Sequence, residues 1–104
     1  MEIKIDPQGV WYHGSNQLFS VLRAGSTITQ WRELAEAFSH KPTLLCCEDD
    51  GRIFHNGEAQ GFLYVLDEPV EIGVDVYQHP RTTMDPGAEF LTARPIKVRL
   101  AARL

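Results

Sequence analysis

Trp11-Tyr12-His13-Gly14-Ser15 is the stretch on which the reading of the fold turns. It sets an imidazole, a residue without a side chain and a hydroxyl next to one another, at the end of a strand predicted over Val10 to His13. Strand pairing holds such a segment rigid. With no Cβ on Gly14, a flat ligand can lie against that residue's N–H and C=O. An ordinary strand end, in which Gly14 starts a turn, has the same letters. The rest of the chain has to decide between the two.

On the N-terminal side, Ile3 and Ile5 alternate with Glu2 and Lys4 as a half-exposed strand does, and Asp6-Pro7-Gln8-Gly9 turns the chain. On the C-terminal side, Asn16 to Arg23 has apolar residues without a period and reads as an irregular connection. Ala24 to Thr29 reads as a turn entering a short strand. Trp31, Leu34, Ala35 and Phe38 then fall at i, i+3, i+4 and i+7, which predicts an amphipathic helix over Trp31 to Ser39. Thr29 is placed to cap it, and Pro42 ends it by disfavouring the helical region at Lys41.

Beyond the helix the pattern is that of short strands. Thr43 to Cys47 is a continuous apolar run suited to a buried strand. Turn signals at Glu48-Asp49-Asp50-Gly51 and Asn56-Gly57 enclose Arg52 to His55 as a hairpin or protruding loop. Gly61 to Leu66 is a second buried strand, Val70 to Tyr77 holds a short one, and His79 to Gly87 is a loop long enough to line a site. Glu89 to Thr92 and Ile96 to Leu100 complete the set. Seven or so strands with one principal helix make an α+β domain dominated by sheet.

At 104 residues and 43% hydrophobic, the chain fits a single domain over 1–104 with one core and one site. A formal charge of -4 lacks the clustered cations that a long phosphate backbone demands. No apolar run approaches a membrane span and the start has no signal-peptide pattern, so the expected location is cytoplasmic, without a membrane partner. Cys46 and Cys47 are adjacent and point to opposite faces of a strand, which predicts reduced thiols. The cysteines and His13, His40, His55 and His79 lack the short repeated spacing of zinc sites, so no metal is expected.

Taken in order, YHGS at 12–15, GSTIT at 25–29 entering a helix, GFLYVL at 61–66 and AEFLTARPIKV at 88–98 resemble the ADP-ribosyltransferase fold. The likeness is to the small bacterial branch that includes the rifamycin-modifying enzymes, and it spans Tyr12 to Val98. It implies a split β-sandwich with one principal helix. It further implies an NAD-dependent transferase that breaks the nicotinamide–ribose bond and passes ADP-ribose to an acceptor: a protein, a nucleic acid end or a small molecule.

By the same likeness His13 holds ribose hydroxyls, Gly14 binds the nicotinamide carboxamide through its backbone, and Ser15 follows them in the NAD-binding motif. Thr27 stands where the family places a tyrosine, and Thr29 supplies the small hydroxyl after it. Tyr12, Trp31 and Tyr77 are the rings available to replace that tyrosine. Glu89 is the carboxylate matched to the charge developing at the ribose, and together with His13 it forms the catalytic pair. The rifamycin-modifying relatives place an aspartate earlier, which points to Asp75 as the other candidate. A non-catalytic module that binds NAD or ADP-ribose on the same fold is the alternative reading.

Overall fold

A computed structural model describes residues 4–40, 45–47, 53–55, 57, 60–80 and 87–104, with the backbone alone at 45–47, 54 and 55. Among them are nine strands and one helix. In chain order these are β1 (Tyr12–Ser15), β2 (Val21–Leu22), β3 (Thr27–Ile28), α1 (Arg32–Ser39), β4 (Leu45–Cys47), β5 (Ile53–His55), β6 (Phe62–Leu66), β7 (Val76–Gln78), β8 (Phe90–Thr92) and β9 (Ile96–Arg103). The α+β class dominated by strands is therefore observed.

The strands form a four-stranded sheet in the order β1-β6-β9-β2, a three-stranded sheet β3-β8-β7, and the pair β4-β5. Every named pairing is antiparallel. The two larger sheets share one apolar core. Trp11, Leu22, Phe62, Tyr64, Ile96 and Val98 enter it from the first sheet, and Ile28, Val76 and Phe90 from the second. Alternation explains the choice: on β9, Ile96 and Val98 point inward while Lys97 and Arg99 point to solvent.

The helix lies on the opposite face of the first sheet, over β1 and β6. Its seat is made of glycine. A Cβ built on Gly14 would overlap the Ala35 carbonyl oxygen, one on Gly61 would overlap Ser39 Oγ, and one on Gly57 would come within 2.6 Å of the His40 carbonyl oxygen. At Gly14 helix backbone thus rides directly on strand backbone, which only a residue without a side chain permits.

Several expectations need correction. Thr29 does not cap the helix: Trp31 is the N-cap residue and no side chain caps it. Thr29 is held extended by its backbone bonds to Tyr12, so its Oγ1 reaches only the Trp31 N–H, at 3.0 Å. The buried face of the helix is Leu34, Ala35, Ala37 and Ser39, with Trp31 and Phe38 only half-buried. Ile5 lies outside any strand and packs against the core as an irregular segment. The stretch read as irregular, Asn16 to Arg23, contains the edge strand β2. Ile3, the Pro42 stop, the turn at 48–51, the thiols of Cys46 and Cys47 and most of the 79–87 loop lie outside the described residues.

Candidate functional site

The site forms where two strands part. Tyr12 and Thr29 exchange a pair of backbone bonds, Tyr12 N–H to Thr29 O at 2.7 Å and Thr29 N–H to Tyr12 O at 3.0 Å. Beyond this one rung, β1 continues along β6 while β3 continues along β8. A cavity of about 400 Å³ opens around the split, lined by Tyr12, His13, Gly14, Thr27, Ile28, Thr29, Ala35, Phe38 and Glu89. Of the residues singled out in the sequence, His13, Gly14, Thr27, Thr29 and Glu89 meet there.

The direction of the Gly14 backbone follows from alternation along β1. Trp11 O accepts from Leu66 N–H on the β6 side, whereas Tyr12 bonds outward to Thr29. Two residues on, Gly14 again turns its N–H and C=O outward, into the gap. Its missing Cβ serves α1; the groups offered to a ligand are the polar edge of the strand. That edge is matched to a planar amide, which accepts through its C=O and donates through its NH₂.

His13 bridges the gap. Its Nδ1 lies 2.6 Å from Thr27 O. A carbonyl oxygen only accepts, so Nδ1 carries the proton and, in the neutral ring, Nε2 is an acceptor suited to a hydroxyl. The imidazole packs against Phe19 and Tyr64, with centroids 5.8 and 6.4 Å away, and those two rings stack on each other at 4.5 Å. Tyr64 also fixes the segment above His13, since its hydroxyl donates to Gln17 O at 2.8 Å and accepts from Phe19 N–H at 3.1 Å. His13 is therefore oriented from two sides before any ligand arrives.

Glu89 immediately precedes β8, and the β3–β8 register brings it opposite Thr29. Its side chain is 15% exposed and its Oε2 lies 4.0 Å from His79 Nε2. Asp75 is placed elsewhere. Its carboxylate accepts from Arg94 Nε and from Glu71 N–H, both at 2.8 Å. The Arg94 guanidinium first, and the Glu71 N–H second, hold Asp75 below the usual carboxylate range. Glu68 is held low in the same corner, first by the Lys97 N–H and then by Arg94.

Ser15 does not join the cavity. It is buried, its Oγ accepts from Gln17 N–H at 3.1 Å, and it faces a second cavity of about 690 Å³ on the far side of His13. Arg23, Asn16 and Ser26 also line that second cavity. Of the rings proposed for the missing tyrosine, only Tyr12 reaches the first cavity. Phe38 also lines it, and the sequence concealed this because the same letter completes the helical stripe.

Among the described residues no cluster of three or more His, Cys, Asp or Glu could hold a metal, and no helix is long and apolar enough to cross a membrane. Comparison with known proteins gives no family model, no curated protein and no solved structure that matches the chain.

Proposed function

We propose that the protein is an NAD-dependent ADP-ribosyltransferase built on the split β-sandwich its motif order resembles. The observation that carries this reading is the meeting of His13, the outward edge of Gly14 and Glu89 in one cavity at the parting of β1 and β3. Gly14 then pairs with the nicotinamide carboxamide, His13 Nε2 accepts from a ribose hydroxyl, and Tyr12 and Phe38 flank the ring. The second cavity beyond His13, with Arg23 on its wall, takes the phosphates and adenosine.

In the reaction the bond from ribose C1′ to the nicotinamide nitrogen breaks, and its electron pair leaves with nicotinamide, neutralising the ring cation. Positive charge passes to the ribose, where Glu89 stabilises it more than it stabilises the bound ground state. A lone pair from the acceptor, or from water, closes on C1′, and the acceptor loses a proton. The step resembles glycoside cleavage, in which a fixed carboxylate also faces an oxocarbenium-like centre.

A non-catalytic module binding NAD or ADP-ribose is the second reading, favoured by Thr27 standing where the family carries a ring. One experiment separates the two. Calorimetric titration with NAD and with ADP-ribose, followed by assay of nicotinamide release, gives binding with release for the enzyme and binding without release for the module. Absence of binding to either ligand would sink both.

A further inference from the structure

The cavity's carboxylate has a neighbour that the proposed NAD contacts leave unused. Just past β7, the His79 N–H donates to the Glu89 carbonyl at 3.1 Å, extending the β7–β8 ladder by one rung. The two side chains lie on the same side, Nε2 to Oε2 4.0 Å, with 27% and 15% of their surfaces exposed. At that separation there is no direct hydrogen bond to a neutral imidazole, whereas an imidazolium attracts the carboxylate strongly in a partly desolvated setting. The other titratable groups facing Glu89 across the cavity, among the described residues, are His13 and Tyr12 from β1. The segments at β3 and α1 contribute Thr27, Ile28, Thr29, Ala35 and Phe38, none of them charged. His13 is tied to Thr27 O through Nδ1 and stands on the opposite wall.

We propose that His79 is a positioning residue whose charge decides how much of the Glu89 carboxylate is available to the ribose. Imidazolium at 79 competes with the developing ribosyl cation for Oε2 and slows the departure of nicotinamide; neutral imidazole leaves Oε2 to the substrate. This rests on the NAD-cleaving reading above, and the experiment separates their failures. Nicotinamide release at saturating NAD is measured on wild type, H79Q and H79N between about pH 5.5 and pH 8, the interval in which imidazoles change charge. NAD affinity of each variant serves as the check on folding, and two variants are carried so that misfolding of one leaves the other to decide. The expected result is a wild-type rate about five- to tenfold lower at the acid end, with the ratio reduced to about twofold or less in the variants. A flat wild-type rate, or a fall that persists undiminished in the variants, overturns the role of His79 and leaves NAD cleavage standing. No release from wild type at either pH overturns both.

Discussion

The two carboxylates offered by the motif likeness, Glu89 first and Asp75 as the alternative, live in opposite circumstances. Asp75 is saturated: a guanidinium and a backbone N–H take its oxygens, and Arg94 itself is shared with Glu68 at 2.6 Å. Glu89 stands on the wall of a cavity with the His79 imidazole 4.0 Å away. A carboxylate whose charge is already answered by fixed partners has little left to offer a transient cation, while one facing a cavity keeps its field for whatever enters. The Arg94 corner ties the turn before β7 to the chain after β8, while the split between β1 and β3 opens onto a cavity.

The sharpest way to break that contrast is to neutralise each carboxylate in turn. Glu89→Gln should lower nicotinamide release by about 10²–10³-fold, the scale for losing one charge-stabilising group, with NAD affinity nearly kept. Asp75→Asn should leave release within about threefold. Assays under matched conditions decide it, and the opposite ranking would move the chemistry to the Arg94 corner.

Next in size is the seat of the helix. Gly14→Ala forces a methyl group into the Ala35 carbonyl and should cost about 1 to 3 kcal/mol by denaturant unfolding, with the cavity distorted as well. Unchanged stability would mean that α1 moves freely on β1. If NAD is bound as proposed, His13→Ala should weaken its binding by about 0.5 to 1.5 kcal/mol for each hydrogen bond lost, as read by calorimetry.

Phe38 gives a smaller effect that divides the helix from the site. Half-buried and on the cavity wall, it should cost less on truncation than the roughly 3 to 5 kcal/mol of a fully buried phenylalanine. Phe38→Leu should weaken nicotinamide binding by about 0.5 to 1.5 kcal/mol while melting near wild type. Equal nicotinamide affinity in both proteins would remove Phe38 from the site.

The saturated corner makes the mildest prediction. Asp75 and Glu68 have folded-state values below their unfolded ones, so their contribution is complete above the usual carboxylate range and is lost as pH falls through the lowered folded values. Thermal melting should therefore decline on acidification below about pH 4, and less steeply in a Glu68→Gln, Asp75→Asn double variant. Parallel declines would show that these pairs hold nothing in place.

Periodicity made the helix and most strands legible, since Leu34 and Ala35 or Ile96 and Val98 repeat with the spacing their structure requires. Capping was misread because local chemistry nominated Thr29, and a tertiary bond to Tyr12 took it first. β2 escaped because two residues on a sheet edge are too few to show a period. His13, Gly14 and Glu89 were found as ordered motifs, not as neighbours; nothing in the spacing of 13 and 89 says that they meet. Phe38 went unseen as a cavity residue for the same reason. A residue that lines a cavity because a helix or strand happens to end there carries no local mark of it.

The isolated bridge between Tyr12 and Thr29 has a consequence for hydrogen exchange. Sheets joined along many rungs share their protection from exchange, whereas across this split, among the described residues, the Tyr12–Thr29 backbone pair and the His13 Nδ1 bond to Thr27 O are the links. The amide hydrogens of Tyr12 and Thr29 are then a local gauge of how firmly the split is held, readable by the rate at which they exchange with deuterium.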